Sequence, residues 1–375
     1  MKFYRAISDY IKFINLKKNN RKLVVYSEGK EYFPHLFPIV YELSKNKIDV
    51  CYLTSDYEEK IPESPYIRRF FIGKGIVRTL FFQNLETIVC LMTMPDLDSF
   101  HIKKSKRVNK YVYIFHSCVS THMIYRYNAF TAYDIIFCVG PHHKKEIRQF
   151  ERIEGLRKKQ LFSYGYNRLD SIIAATKNNK KRVNKYTRIL IAPSWGKKNL
   201  INLCGLSLIK SLLEENYKIV LRPHPRSFIE DKKIIKDIKN SFLSNSKFII
   251  DEDVVDESGL DDSDVLITDW SGVAMDFAFG KERPVIFIDS PRKINNSLYK
   301  KLNIDPIEVF IRQEVGVICD LDDVNKISRK IRYLEANQTL YLNKIRKAKN
   351  NYIYNIGISS KVGAKEIMKQ LNREY

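Results

Sequence analysis

DVLITDWSGVAMDFAFG, residues 264–280, predicts a β-strand, a polar turn and an α-helix in direct succession. Its first apolar residues are typical of a buried parallel strand. Ser271 or Asp269 is the expected N-cap of the helix, and Gly280 is expected just past its end. A second apolar strand at 284–288 completes a βαβ unit, which indicates an α/β protein with a parallel sheet.

The turn inside this unit is a candidate anion site. It combines the hydroxyls of Thr268 and Ser271, the free N–H groups of a helix N-terminus, and Gly272. It also lies at the carboxyl end of a parallel strand, where open α/β sheets bind their ligands. The pattern therefore predicts the diphosphate site of a nucleotide-linked donor, to which Asp269 would belong. The alternative is that Ser271 and Asp269 only cap the helix.

Size and charge narrow the class of protein. With 375 residues the chain is long enough for two domains. Its formal net charge of +22 favours an anionic partner, either a phosphorylated substrate, an anionic membrane surface or nucleic acid. Because no zinc-finger, basic-zipper or RRM signature is present, nucleic acid is not expected as the partner.

Cysteine usage and hydropathy indicate a cytoplasmic protein. The six cysteines lie singly, without any C-x-x-C pair, as in the reduced core of a cytosolic protein. We see no signal peptide and no apolar run of membrane-spanning length. Residues 1–20 predict a basic amphipathic helix, which either lies on an anionic membrane surface or packs on its own domain. The expected location is therefore the cytoplasm, with attachment to the inner face of the membrane.

A regular alternation of strands and helices predicts two Rossmann-like domains, residues 1–180 and 181–375, with a ligand cleft between them. The segment 176–187, rich in Lys and Asn, is the expected linker. The expected strands of the first domain are 23–26, 49–54, 66–72, 87–92, 110–115, 135–139 and 161–164. The expected strands of the second domain are 188–192, 218–221, 247–250, the strand that opens the stretch 264–280, and 284–288. The pattern at 309–318 is less clear, and a basic helical region is expected from 324 onward.

Histidines at strand ends are candidates for proton transfer. His116 directly follows an apolar strand and should lie at the carboxyl edge of the sheet, where an imidazole can accept a proton near neutral pH. A purely structural role is the alternative. His122 could line the same site, whereas the pair His142 and His143 is expected to be a solvated helix cap.

The segment Arg222-Pro223-His224-Pro225-Arg226 predicts a phosphate-binding cluster. Two prolines stiffen the backbone directly after a strand. They present one imidazole and two guanidinium groups, which suit a phosphate or a diphosphate. A basic surface turn is the alternative.

Three further residues are possible nucleotide or cleft contacts. Arg168 could face the cleft or pair with Asp170. Ser194 and Trp195 follow a strand, and Trp195 could stack on a base or fill a wall between the domains.

No metal site is expected, because the chain has neither an H-E-x-x-H motif nor a calcium loop. The absence of G-x-x-x-x-G-K-[ST] and G-x-G-x-x-G motifs argues against an ATPase and a nicotinamide dehydrogenase.

Taken in order, these motifs resemble the CDP-glycerol glycerophosphotransferase family, whose enzymes build teichoic acids and related capsule polymers of the bacterial cell envelope. The resemblance covers about residues 110 to 290. It is carried by His116-Ser117, Gly165 to Asp170, Ala192 to Trp195, Arg222 to Pro225 and Thr268 to Ser271. It implies a GT-B architecture, with two Rossmann-like domains whose parallel sheets face each other across a cleft.

The resemblance also implies an activity. Such an enzyme transfers glycerol phosphate, or a related alditol phosphate, from a CDP-linked donor to a hydroxyl of a glycan or lipid-linked acceptor. CMP is released and no cofactor is needed. His116 would be the catalytic base on the acceptor side, and His224 with Arg222 would contact the donor diphosphate. Thr268, Ser271 and the amides near Gly272 would hold that diphosphate from the opposite side.

The chain departs from the family pattern at three positions. It has Ser117 where the family usually has Gly, Gly196 where Arg is frequent, and Asn167 where Pro is common. These departures leave the donor and the acceptor open. A GT-B glycosyltransferase that uses a nucleotide sugar in capsule or lipopolysaccharide synthesis is the alternative enzyme. A basic scaffold that binds membranes or nucleic acid is the alternative without catalysis.

Overall fold

The computed structural model describes residues 2–100, 102–178, 187–252, 260 and 262–372. Most of the predicted linker at 176–187 lies outside these residues. The chain forms two compact units. The first unit comprises Met1–Ser171, Asn296–Asn303 and Tyr352–Tyr375, and the second comprises Ile172–Asn295 and Ile304–Asn351. Relative to the division predicted at residue 180, two later segments of the chain thus belong to the first unit.

The first unit contains a seven-stranded sheet in which each neighbouring pair of strands is parallel. Each of the seven predicted strands is present. They are β1 (Leu23–Ser27), β2 (Val50–Thr54), β3 (Ile67–Phe71), β4 (Thr87–Met92), β5 (Val108–Ile114), β6 (Ile135–Cys138) and β7 (Gln160–Ser163). Their order is β3-β2-β1-β4-β5-β6-β7. The order reverses between β1 and β4, and open α/β sheets bind ligands at such a switch point.

Helices cover this sheet on its apolar sides. They are α1 (Lys2–Ile14), α2 (Phe33–Lys45), α3 (Ile76–Asn84) and α4 (Pro141–Ile153), whereas α5 (Asn167–Asn178) begins in the first unit and belongs to the second from Ile172 onward. The C-terminal helix Ser359–Asn372 joins them, because its Ile367 and Leu371 are buried in the same core as β1 and α2. Gly165, with φ at +109°, allows the chain to pass close to the segment that leads into this helix, since a Cβ atom there would lie 2.5 Å from the carbonyl oxygen of Tyr354.

The second unit contains a six-stranded parallel sheet. Its strands are β8 (Arg188–Ile191), β9 (Lys218–Leu221), β10 (Phe248–Ile250), β11 (Val265–Thr268), β12 (Val285–Ile288) and β13 (Gly316–Cys319), in the order β10-β9-β8-β11-β12-β13. The less clear region at 309–318 is a helix followed by β13. The helices of this unit are α6 (Leu200–Glu214), α7 (Ser227–Glu230), α8 (Lys232–Phe242), α9 (Val273–Lys281), α10 (Ile307–Val315), α11 (Ile327–Ala336) and α12 (Gln338–Tyr352).

The helix after the opening strand differs from its prediction at both ends. Its N-cap is Gly272, so the expectation of Ser271 or Asp269 at this position was wrong. Gly280 lies inside helix α9, where it is buried, and the helix ends at Lys281 with Glu282 as its C-cap. Glu282 has a φ of +53°, the left-handed conformation that ends many helices and that glycine adopts most often. The sequence rule therefore placed the end at the wrong residue.

Helix α1 has one packed face and one exposed apolar face. Ala6, Asp9 and Phe13 are buried, and Asp9 Oδ2 accepts the backbone N–H of Phe71 at 3.1 Å. The packing interpretation is therefore confirmed for this face. The opposite face exposes four large apolar side chains, namely Phe3 (59%), Tyr4 (76%), Ile11 (48%) and Ile14 (45%). None of the described helices has the length and apolar character needed to cross a bilayer.

Candidate functional site

His116 lies just beyond the end of β5, at the carboxyl edge of the first sheet. Its Nδ1 is 3.3 Å from the carbonyl oxygen of Thr93. A carbonyl oxygen only accepts hydrogen bonds, so Nδ1 carries the proton of the neutral ring and Nε2 keeps a lone pair. Burial lowers the pKa of His116 to about 4, against the opposing effect of the bond to Thr93. At neutral pH the ring is uncharged and Nε2 can accept a proton.

Aromatic side chains surround His116. The rings of Tyr32 and Tyr125 lie edge-on to it, with centroids 5.4 and 6.1 Å away. The hydroxyl of Tyr166 donates to the backbone carbonyl of His116 at 3.1 Å. These rings exclude water from the imidazole, which is the physical cause of its low pKa. Near Tyr32, Glu28 follows the end of β1, and burial raises the pKa of its carboxyl group to about 7.

The histidine pair at the start of α4 is buried, so the prediction of a solvated cap was wrong. His142 Nε2 lies 3.0 Å from the carbonyl oxygen of Cys118, and His143 Nε2 lies 2.8 Å from that of Val119. Both rings therefore donate to the loop that follows His116. Carbonyl groups of a buried loop need hydrogen-bond donors. The local sequence around the two histidines does not show that this loop lies against them.

His122 is also buried. Its Nδ1 lies 3.4 Å from Glu146 Oε2. The same carboxylate accepts the backbone N–H of Thr121 at 2.6 Å and its hydroxyl at 2.7 Å. His122 and Glu146 thus fix the conformation of the loop after His116.

Arg168 lies in the first turn of α5, near His35. The pKa of His35 lies well below its usual value, because of burial and then because of the neighbouring His116 and Arg168. Asp170 accepts the backbone N–H groups of Gly357 at 2.6 Å and Ser359 at 2.9 Å. The carboxylate of Asp170 therefore supports the N-terminus of the C-terminal helix.

In the second unit, His224 follows β9 and holds the opposite tautomer. Its Nδ1 accepts the backbone N–H of Arg226 at 3.2 Å, so the proton of the neutral ring is on Nε2. Burial, followed by the positive charges of Lys293 and Arg226, lowers the pKa of His224 to about 4. At neutral pH this ring is an uncharged hydrogen-bond donor.

The two arginines of the same segment have carboxylate partners. Arg222 is buried, and its Nε and Nη2 lie 2.9 and 2.5 Å from Asp251 Oδ2. Arg226 is exposed, and its Nε lies 2.9 Å from Glu230 Oε1. The charge of Arg222 therefore stabilises the end of β9, a role that the sequence pattern did not predict.

Two of the predicted phosphate ligands make internal contacts. The buried hydroxyl of Thr268 donates to the carbonyl oxygen of Ala192 at 2.6 Å. The buried carboxylate of Asp269 accepts the N–H of Ser194 at 2.7 Å, its hydroxyl at 3.0 Å, and the N–H of Leu200 at 3.0 Å. These contacts join the turn after β11 to the turn after β8, and Asp269 stabilises the N-terminus of α6. Thr268, Asp269 and Ser194 thus have supporting roles.

Ser271 and Gly272 remain partly exposed at the N-terminus of α9. Helix N-termini carry partial positive charge and N–H groups that suit an anion. The preceding Trp270 is buried, and its indole Nε1–H donates to the carbonyl oxygen of Ser290 at 2.9 Å. The guanidinium carbon of Arg312 lies 4.3 Å from the centre of the Trp270 ring. The turn is therefore anchored to the loop that follows β12.

Sequence reasoning missed Lys293 in that loop. Its Nζ lies 4.0 Å from the centre of the Trp195 ring, and the guanidinium carbon of Arg226 lies 3.6 Å from the same centre. Trp195 therefore contacts two cations in this structure. The only available signal was the adjacent pair Arg292 and Lys293, shortly after the apolar strand β12.

Comparison with known families assigns the central part of the chain. Residues 122–297, slightly less than half of the chain, match the model of the CDP-Glycerol:Poly(glycerophosphate) glycerophosphotransferase family. The resemblance inferred from the motifs is thereby confirmed, and with it the prediction of a CDP-glycerol glycerophosphotransferase-like transferase. No curated protein matches the sequence.

Solved structures share the fold at low sequence identity. The wall teichoic acid polymerase TagF, soaked with CDPG, has a TM-score of 0.61 at 15% identity, over 99% of this chain and 95% of that one. The UDP-GlcNAc 2-epimerase of Methanocaldococcus jannaschii in complex with UDP-GlcNAc and UDP has a TM-score of 0.59 at 16% identity, over 92% and 99%. A putative UDP-N-acetylglucosamine 2-epimerase from Listeria monocytogenes has a TM-score of 0.64 at 12% identity, over 94% of this chain and 97% of that one. The predicted GT-B fold is confirmed.

Proposed function

Because residues 122–297 match the glycerophosphotransferase family, we propose that the protein transfers glycerol phosphate, or a related alditol phosphate, from a CDP-linked donor. The acceptor is a hydroxyl group of a cell-surface glycan or polymer, the second product is CMP, and no cofactor takes part. The main structural support is the pair of opposite tautomers at His116 and His224. One ring offers a lone pair and the other offers a proton for hydrogen bonding.

In the proposed reaction His116 acts on the acceptor. Its Nε2 takes the proton of the acceptor hydroxyl while the hydroxyl oxygen attacks the phosphorus of the glycerol phosphate group. The bond between this phosphorus and the bridging oxygen of the diphosphate breaks, and CMP leaves with the electron pair. A positioned general base of this kind contributes about 10²- to 10⁴-fold to the rate.

His224 acts on the donor in the same proposal. Its Nε2–H donates to a phosphoryl oxygen, on which negative charge develops as the bonds rearrange. The N-terminus of α9, with Ser271 and Gly272, adds donors of the same kind. Phosphoryl transfer depends on positioning and charge stabilisation, and uncharged donors provide both without a change in protonation.

The first prediction concerns the donor. We expect the purified protein, given an acceptor polymer, to release CMP from CDP-glycerol and to elongate the acceptor by glycerol phosphate. UDP-sugars and CMP-sugars should give no transfer. Nucleotide release followed by chromatography, with labelled glycerol to follow the transferred group, measures both products. Transfer of a sugar from a nucleotide sugar, with CDP-glycerol inert, would favour the alternative glycosyltransferase.

We propose in addition that the protein works on the inner face of the cell membrane, with α1 in contact with the lipid. The exposed apolar face of α1 and the basic residues beside it, among them Lys2 and Arg5, support this placement. Apolar side chains enter the interface while cations attract anionic headgroups.

The second prediction tests this placement. Replacing Phe3 and Tyr4 with serine should reduce partitioning onto anionic vesicles by about tenfold or more, because two large apolar side chains no longer enter the lipid. The fold should persist, since both side chains are exposed. Leu243→Ser, at a residue 54% exposed in the second unit, is the matched control. Equal sedimentation of all three proteins with vesicles would contradict the placement.

A further inference from the structure

Four neighbouring strands of the second sheet bring polar and aromatic groups to one edge. Trp195 follows β8, His224 and Arg226 follow β9, and Ser271 follows β11. Lys293 follows β12, the next strand in the order β9-β8-β11-β12. The ring centres of Trp195 and His224 lie 6.1 Å apart, and Nζ of Lys293 lies 4.0 Å from the centre of the Trp195 ring. Lys293 therefore belongs to the same edge cluster as the predicted donor residues.

Charge compensation distinguishes Lys293 from the arginines around it. Arg222 pairs with Asp251, Arg226 with Glu230, and Arg312 with Asp289. Within the ranges that the structure describes, Lys293 has no salt bridge to a carboxylate. Its ammonium lies on the face of Trp195, where a cation–π interaction holds the ammonium without neutralising it. The charge of Lys293 is thus available to an anion from outside the chain.

The groups that face Lys293 fit a site for such an anion. Burial lowers its pKa to about 8, and Arg226 acts in the same direction, while Asp269 and Glu230 oppose the shift. Lys293 in turn lowers the pKa of His224. Asp269 already accepts three hydrogen bonds from the neighbouring turns. The cluster therefore holds positive charge at a free-energy cost that a bound anion would offset.

We infer that Lys293 binds a phosphate group of a nucleoside diphosphate, and that the ring of Trp195 fixes the position of its ammonium. The inference rests on the proposed function for the identity of the ligand as a nucleotide donor. Lys293 is then a binding residue that the sequence motifs do not contain. Its contact would be a charge-assisted hydrogen bond between Nζ–H and a phosphate oxygen.

The third prediction measures this contact directly by calorimetric binding of CDP and of UDP. Lys293→Met should weaken the affinity for both nucleotides by about 10- to 100-fold at neutral pH, which is the effect of losing one charge-assisted hydrogen bond. Lys293→Arg should stay within about threefold of the wild type, because it keeps the charge. Lys344→Met is the matched control, since Lys344 also contacts an aromatic ring, that of Tyr341 at 5.3 Å.

The pH dependence of nucleotide affinity is a second measurement, and a purely structural role of Lys293 would not affect it. Raising the pH through about 8 deprotonates Lys293 in the free protein, so the wild-type affinity should fall above that value. Lys293→Arg should not show this fall, because the guanidinium stays charged. The titration of the nucleotide itself is common to all variants and cancels in the ratio of affinities.

The outcomes separate this inference from the proposed function. Wild-type affinity in Lys293→Met, or a fall above pH 8 that persists unchanged in Lys293→Arg, would overturn the role of Lys293. A wild-type protein that binds neither nucleotide would overturn it as well. If UDP binds more tightly than CDP and Lys293→Met still weakens both, the Lys293 contact stands and the proposed donor is wrong. Thermal unfolding of each variant verifies that the fold is intact.

Discussion

Replacing His116 with alanine is expected to reduce turnover by about 10²- to 10⁴-fold and to leave the affinity for CDP within about twofold of the wild type. His116 supplies the proton acceptor in the proposed reaction, whereas the predicted donor ligands lie in the other unit of the chain. Single-turnover release of CMP measures the chemical step, and calorimetry with CDP measures binding. Weakened CDP binding in this variant would contradict the assignment of His116 to the acceptor.

His116→Gln is the matched control for proton transfer. Its side-chain amide preserves much of the volume and can accept a hydrogen bond, but it cannot hold a proton taken from a hydroxyl. We therefore expect His116→Gln to be as slow as His116→Ala. Activity close to that of the wild type would show that the site needs only a polar side chain there.

The pH profile provides a further check on His116. Protonation of Nε2 removes the lone pair, so kcat/KM should fall as the pH drops through about 4, the pKa of His116 in the free protein. An ordinary histidine would produce this fall at about 6.5. A fall of kcat/KM near pH 6.5 would mean that the aromatic surroundings do not lower the pKa of His116 as the structure indicates.

The strands and the strand-end histidines could be predicted because they follow from local patterns. Continuous apolar runs rich in β-branched residues mark buried parallel strands, and all seven strands of the first sheet were found in this way. His116 and His224 were found because a polar residue directly after such a run lies at the carboxyl edge of the sheet. Their tautomers could not be predicted, since they depend on Thr93 and on the backbone of Arg226.

The contacts that the sequence could not reveal concern residues whose partners lie far away in sequence. A polar side chain after a strand has the same local pattern whether it contacts a ligand or a neighbouring turn, so the bonds of Thr268 to Ala192 and of Asp269 to Ser194 were not foreseen. Lys293 has no motif around it and is defined by its contact with Trp195. Likewise, the basic pattern of the C-terminal helix does not reveal that the helix packs on the first unit.

The second large effect is expected at His224. His224→Ala should reduce turnover by about 10²- to 10³-fold, because it removes a donor to the phosphoryl oxygen on which charge develops. CDP affinity should fall by a smaller factor, because only part of that charge is present in the ground state. The measurements are again single-turnover CMP release and calorimetry, and thermal unfolding verifies the fold.

Two amide variants then decide between hydrogen bonding and proton transfer at this position. The N–H of Gln reaches about as far as the imidazole Nε2–H, whereas the amide of Asn reaches only about as far as Nδ1. His224→Gln should therefore recover part of the activity, and His224→Asn should remain as slow as His224→Ala. Recovery should be incomplete, since Gln loses the bond that Nδ1 accepts from the N–H of Arg226. At His116 the same substitution gives no recovery, because that ring must take up a proton. Equal losses in Gln and Asn at position 224 would mean that this ring transfers a proton, against the neutral donor role argued from its tautomer.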